Sequence, residues 1–257
     1  MKKSIIWIFA TFLLVLVAGV VLYSLARPYE LETHEYEIKE NFNDIKITTD
    51  IADIQFILSE NPSTFIVCEE EKNANHSVTV KENTLRIEIV DDQKWYEDIG
   101  IKLRTPKITV YLGKSEYGNI SLETDTGNIL LDNIIATGKL ATETDTGNVN
   151  FEACDASEVF IKTVTGNVLL DDVITTGKLT IQTDTGNVKF EACDASEVII
   201  KTDTGNVTGS FLTDKVVFAE SNTGKIDIPK VIADEKCEII TDTGNIKITI
   251  EQGNKNS

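Results

Sequence analysis

The sequence predicts an all-β chain, a parallel β-solenoid with ~20-residue two-strand rungs, preceded by a single N-terminal transmembrane helix. Three observations carry that expectation. A Thr-x-Thr-Gly-Asn element recurs at near-constant spacing, strand-like alternation fills the intervals, and one long uncharged apolar run lies near the N-terminus.

The apolar run extends from Ile5 to Leu25. At ~1.5 Å rise per residue it spans roughly 31 Å, the thickness of a bilayer core. Lys2 and Lys3 precede it, and Glu30, Glu32, Glu35 and Glu37 follow. The positive-inside rule then leaves 1–4 as a cytoplasmic stub, 5–25 as the membrane helix and 26–40 as a linker outside. Ser24-Leu25-Ala26 resembles a small-x-small cleavage site, so a cleaved signal peptide competes with a retained signal anchor. The length of the run and the nearby Pro28 favour retention. Leu16-Val17-Ala18-Gly19 opens like a lipoprotein signal, but Val20 stands where the lipidated Cys would be, so no lipid anchor is expected. The expected location is the bacterial cell membrane, single-pass, with the bulk of the chain extracytoplasmic.

Residues 41–118 lack the repeat but keep strand alternation, as in Ile45-Lys46-Ile47-Thr48, Leu85 to Ile89 and Ile108-Thr109-Val110-Tyr111. They read as longer irregular rungs or a cap over the membrane-proximal end, since an open sheet edge invites aggregation. Asp91 to Glu97, with Trp95 and Tyr96, reads as a loop.

Regular rungs are expected over 119–251, followed by a polar tail at 252–257. The turn pairs are Gly127-Asn128, Gly147-Asn148, Gly166-Asn167, Gly186-Asn187, Gly205-Asn206 and Gly244-Asn245, with Gly224-Lys225 as a variant. In chain order these seven glycines are 20, 19, 20, 19, 19 and 20 residues apart. A longer duplication overlies this period, for Glu152 to Val159 recurs unchanged as Glu191 to Val198. After each glycine, Val149, Phe151 and Ala153 share a side, as do Val188, Phe190 and Ala192; a second segment aligns Val159 with Ile161 and Val198 with Ile200. The turn glycine is expected to supply a positive φ, and the asparagines to stack as an amide ladder along the axis.

Composition bounds the partners. The formal net charge is −18. Taking Lys2, Lys3 and Arg27 from the 24 basic residues leaves 21 against 42 acidic ones beyond the membrane segment. Such a polyanion repels nucleic acid and anionic lipid headgroups and suits divalent cations or basic partners. The plainer reading of the charge is solubility of an elongated surface.

Five residues, Asp125, Asp145, Asp184, Asp203 and Asp242, hold equivalent places before the turn, interrupted by Val164 and Asn222. A carboxylate column at rung spacing is a candidate calcium site, against the alternative that each Asp bonds its local backbone. A second column, Phe160, Ile199 and Phe218 with Ala141 and Thr180 beside them, is apolar on the outward phase, and is a candidate partner surface unless chain covers it. The paired threonines could form an ice-binding face, but Thr163 follows Val159 and Ile161 in inward phase, which argues against it.

Catalytic signatures are missing from the sequence: it contains no Gly-x-Ser-x-Gly, His-Glu-x-x-His, phosphate loop or Cys-x-x-Cys. His34 and His76 are expected at the exposed surface. Cys154 and Cys193 recur two rungs apart, roughly 9.6 Å and beyond disulfide reach, so Cys68, Cys154, Cys193 and Cys237 are expected as free packing thiols. No catalytic residue and no cofactor, calcium aside, is expected.

Two features together resemble a known family. One is Thr-Asp-Thr-Gly-Asn-Val, as at Thr144 to Val149 and Thr183 to Val188. The other is the strand Ile108 to Leu112, a short linker, then Tyr117-Gly118-Asn119-Ile120 leading into the first repeat. Over Asn41 to Glu251 the chain resembles the bacterial putative-adhesin family of cell-envelope β-solenoid proteins. Gly113 stands where that family's strand usually closes with a proline. The resemblance implies an envelope location, sometimes linked to envelope-stress systems, and carries over no catalytic residues.

The expected function is a non-enzymatic, adhesin-like binding or scaffold protein presenting an acidic surface to cell-envelope polymer, a membrane-protein partner or its own copies. The alternative is an accessory or sensory component of an envelope-stress response acting through a membrane partner. A polysaccharide-cleaving solenoid enzyme is weakest, because near-identical rungs show no singular cluster of acids.

Overall fold

The computed structural model describes residues 31–71, 74–91 and 105–251. The expected stub, membrane helix and tail, and all but the first residue of the Asp91–Glu97 loop, lie outside them. Among the described residues, no helix is long and apolar enough to cross a membrane. They form nineteen strands joined in one sheet.

The first seven strands are β1 (Leu31–Ile38), β2 (Asp44–Ile51), β3 (Asp53–Leu58), β4 (Thr64–Glu71), β5 (Ala74–Lys81), β6 (Thr84–Asp91) and β7 (Lys107–Leu112). The next seven are β8 (Glu116–Tyr117), β9 (Ile120–Thr126), β10 (Ile129–Asp132), β11 (Ile135–Thr146), β12 (Val149–Thr165), β13 (Val168–Thr185) and β14 (Val188–Thr204). The last five are β15 (Val207–Phe211), β16 (Val216–Thr223), β17 (Ile226–Asp227), β18 (Lys236–Thr243) and β19 (Ile246–Ile250).

Parallel, in-register stacking dominates. Val149 pairs with Val168 and Val168 with Val188; Ile161 pairs with Ile181 and Ile181 with Ile200. Each rung therefore buries its inward side chains against like side chains above and below, the condition for a solenoid core.

The rung differs from the expected pair of strands joined by two turns. β12 runs as three segments, burying Val149 and Phe151, then Cys154 and Ala156, then Val159, Ile161 and Thr163. The inward phase slips at Ala153 and again between Ala156 and Val159, where the register shifts. Ala153 and Ala192 do not continue the inward face as the alternation implies. They occupy a bend in the left-handed region (φ 48° and 49°), beside Asn133 (φ 56°) and Asp172 (φ 53°). An L-residue there costs about 1–2 kcal/mol, which the stacked neighbours offset.

The Thr-x-Thr-Gly-Asn glycines are required for a different reason than expected. Gly127, Gly147, Gly166, Gly186, Gly205 and Gly224 are not at positive φ. A β-carbon at Gly147 would instead collide with the carbonyl oxygen of Gly127, and one at Gly166 with that of Gly147. Backbones approach so closely at this corner that no side chain fits between them.

Stack order departs from chain order at both ends. β2 lies parallel between β6 and β9, and β3 parallel between β7 and β10. Residues 44–58 are thus a rung inside the stack, with Thr49, Asp50, Ile51, Ala52 and Asp53 in the Thr-x-Thr-Gly-Asn places. Beyond this rung the pairing turns antiparallel: β4 lies between β1 and β7, and β5 pairs β6 through a turn with Glu82 and Asn83 at φ 51° and 62°. Two successive left-handed residues are what a type I′ hairpin turn needs.

At the other end, β18 pairs with β14 and β16, and β19 with β15 and β17. The last segment in the chain is inserted between the two that precede it. Lys215, fully buried, holds the connection by donating to the Ala195 carbonyl (2.6 Å) and pairing with Asp194 (2.5 Å) and with Glu235.

Candidate functional site

Two hydrogen-bond ladders run along the turn corner. In the first, each Asn donates from its backbone N–H and its Nδ2 to the side-chain oxygen of the previous layer, at 2.7–3.2 Å. Its order is Asp53, Asn128, Asn148, Asn167, Asn187, Asn206, Asn245, so it follows the stack and skips 39 residues at the last step. The Lys225 amide ends it on Asn245 Oδ1 (2.9 Å). In the second, the buried Thr hydroxyls donate to the turn carbonyls: Thr124 to Ala52, Thr144 to Gly127, Thr163 to Gly147, Thr183 to Gly166, Thr202 to Gly186 and Thr241 to Gly205. The first threonine of each element therefore faces inward and is occupied, whereas the second, as at Thr146, Thr165, Thr185 and Thr204, is exposed and in register between rungs.

The aspartates stand outside these ladders in single file. By register the column runs Asp50, Asp125, Asp145, Val164, Asp184, Asp203, Asp242, Asn222. The Asp125 carboxyl is held above its ordinary value by partial burial and then by the charges of Asp50 and Asp145. Asn222 relieves the far end by donating to Asp242 (3.1 Å). One carboxylate per rung offers a cation few ligands from each layer, fewer than the six to eight oxygens that calcium gathers.

The apolar column is not continuous. Phe160 lies between Ala141 and Thr180, and Thr180 separates it from Ile199. Glu238 of the inserted rung separates Ile199 from Phe218. Phe160 is half-buried, with Lys139 Nζ 5.0 Å from its ring centre, and Phe218 is exposed. The sequence-based alignment assumed that rungs stack in chain order, and the insertion breaks it.

A polar cluster lies at the interior of the antiparallel end. Glu70 is 1% exposed and His76 5%, so the expectation of a surface position fails for His76, whereas the His34 side chain remains 40% exposed. Glu70 accepts from His34 Nδ1 (2.7 Å), His76 Nδ1 (2.7 Å) and the His76 backbone N–H (2.8 Å). Burial pushes the Glu70 carboxyl up, but these bonds outweigh it and hold the group below its ordinary value. His76 Nε2 meets Thr49 Oγ1 at 2.8 Å. Thr49 occupies the ladder position whose counterparts donate to a turn carbonyl; here the imidazole takes that role, so the threonine ladder closes on His76. Cys68 lies beside Glu70 on the inward face of β4. One signal could have revealed the cluster: Ile66, Cys68 and Glu70 share an alternating phase, and an acid on an apolar face must have a partner.

Burial pushes the Cys154 thiol up to about 11 and those of Cys68, Cys193 and Cys237 up to about 12. All four are free, buried thiols. Cys154 pairs with Val173 in register, and the next rung places Cys193 beyond it.

The sequence profile of the family described as Toastrack DUF4097 matches residues 42–177. The chain belongs to this family. The toastrack match begins just before β2 and ends within β13, so it spans the antiparallel end and the first regular rungs. No curated protein matches the sequence. A crystal structure of a "putative adhesin" from Bacteroides fragilis superimposes on this toastrack chain with a TM-score of 0.55 at 20% identity, covering 86% of this chain and 97% of that one. A "putative adhesin" from Parabacteroides distasonis gives 0.39 at 12% identity, covering 86% and 98%. A "putative lipid binding protein" from the same organism gives 0.42 at 15%, with the same coverage. The first of these likenesses supports the fold alone.

Proposed function

We propose that this toastrack protein is a non-enzymatic binding or scaffold protein of the bacterial cell envelope, tethered through residues 5–25 and presenting its acidic solenoid surface outside the membrane. The aspartate column carries this reading. It sets like charges in line on a backbone held rigid by two ladders, in a chain of net charge −18. A preorganised line of charge recognises an extended, complementary ligand at little ordering cost. A basic segment of a membrane protein meets it directly, and an anionic envelope polymer meets it through bridging divalent cations.

The test is co-sedimentation of the full chain, in detergent, with purified cell-wall polymer, in calcium and in chelator. Calcium-dependent binding that is lost when Asp125, Asp145, Asp184 and Asp203 are all changed to Asn supports a cation-bridged polymer on the column. Binding unchanged by the four substitutions removes the column from the reading. Absence of binding in both conditions removes the polymer and leaves a membrane-protein partner.

A further inference from the structure

The polar cluster at the antiparallel end combines a sulfur, an oxygen and a nitrogen donor. Cys68, Glu70 and His76 each offer one ligand atom, and these atoms all lie within 4.8 Å of one another. All three side chains are buried, at 0%, 1% and 5% exposure. Cys68 and Glu70 project from the same face of β4, and His76 comes from β5.

Two partners orient these groups from outside. Thr49 Oγ1 meets His76 Nε2 and so turns Nδ1 toward the carboxylate (2.7 Å). His34 Nδ1 donates to the other Glu70 oxygen. A hydroxyl on the far nitrogen of an imidazole and a donor on the far oxygen of a carboxylate are the outer contacts that position metal ligands. The thiols of Cys154 and Cys193 donate to the carbonyls of Glu152 (3.3 Å) and Glu191 (3.2 Å), whereas among the described residues those of Cys68 and Cys237 have no such acceptor. Of these two, Cys68 is the one grouped with a buried carboxylate. It is an unpartnered sulfur beside a carboxylate.

We propose that Cys68, Glu70 and His76 bind one divalent cation of the zinc class. A mixed sulfur, nitrogen and oxygen set suits a borderline-soft ion and is a poor fit to calcium or magnesium, which take oxygen ligands. Binding releases the thiol proton of Cys68 to solvent and shifts the imidazole proton of His76 from Nδ1 to Nε2, so that the ring ligates as a neutral base. The thiolate and carboxylate then balance the two charges of the ion. Without metal the thiol stays protonated, because burial and then the neighbouring Glu70 charge push it up to about 12. Thr49 serves both states, since its hydroxyl can donate to Nε2 or accept from it. The ion would tie β4 to β5 directly, and through Thr49 and His34 would bind β2 and β1 to the same point.

The experiment uses the full chain, purified in detergent, reduced and stripped with chelator, then titrated with cobalt(II). The expected result is a thiolate-to-cobalt charge-transfer band that saturates at one cobalt per chain and is displaced by zinc. Cys68→Ser removes the band, and Thr49→Ala, which leaves all three ligands in place, weakens cobalt binding about tenfold. Saturating cobalt without a charge-transfer band in the unaltered chain overturns the proposal, whatever the variants do. A band that persists in Cys68→Ser also overturns it, because the sulfur would then belong to another cysteine.

Discussion

The two ends of the solenoid solve one problem in opposite ways. A stack of rungs must stop without leaving a sheet edge that recruits another chain. At the β1–β7 end the sheet turns antiparallel, and the threonine ladder terminates in a buried network of Thr49, His76 and Glu70, with the partly exposed His34 at its rim. At the β15–β19 end the sheet stays parallel and the order of the segments changes instead. The weaker rung, β16–β17, is left outermost, with Val217 its only buried apolar residue, still 9% exposed, and Phe218 and Ile226 at the surface. The stronger one, β18–β19, takes the interior place and buries Cys237, Ile239, Ile246 and Ile248. Relative burial, rather than position in the chain, decides which segment becomes the edge. Lys225 then replaces the asparagine side chain that would offer the next layer an acceptor, and so ends the amide ladder.

The difference predicts where each end breaks. The largest effect is expected at Glu70, since Glu70→Ala leaves the two buried donors of His76 and the partly exposed His34 without an acceptor. A loss of about 3 kcal/mol is expected in denaturant titrations under chelator. Amide exchange in β4–β6 should then outpace that in β12–β14; uniform exchange would mean that the cluster does not hold the end. Lys215→Ala ranks next, at about 2 kcal/mol. Its carboxylate partners are partly exposed, Asp194 at 20% and Glu235 at 41%, so water recovers part of the lost interaction. Exchange should rise first in β16–β19, and a change confined to β1–β7 would contradict the assignment of Lys215 as the clasp.

The smallest effect lies on the surface between the ends. Asp125 is held above its ordinary value, so the folded state binds its proton more tightly than the unfolded state does. Stability therefore falls as pH rises through the window between the two values, and the penalty is complete above it. Asp125→Asn should stabilise the protein at neutral pH by about 0.5 kcal/mol or less, since exposed charges are well screened. The gain should vanish in acid and shrink with added salt. A gain that ignores both would point to packing in place of charge.

Much of the fold was legible because its determinants are local and repeated. The Thr-x-Thr-Gly-Asn period marks the corner, and alternation along Val159, Ile161 and Thr163 marks the inward face. The amide ladder follows from identical residues meeting at rung spacing. The bend at Ala153 was hidden because nothing in its residue type signals a left-handed backbone. The rung at 44–58 was hidden because Ile51, Ala52 and Asp53 stand where the repeat has Thr, Gly and Asn.

By itself the sequence determined the all-β class, the rung length, the inward threonines and the acidic face, since each depends on spacing within one rung. Only the tertiary structure decided which rungs are neighbours. Parallel rungs present nearly the same donors and acceptors to any partner, so hydrogen bonding barely distinguishes one order from another. Small differences in buried apolar surface then select the order, and these become visible only when the whole stack is assembled. The meeting of Thr49, Cys68, Glu70 and His76 is decided in the same way: β2, β4 and β5 bring these residues together at the layer where the repeat gives out.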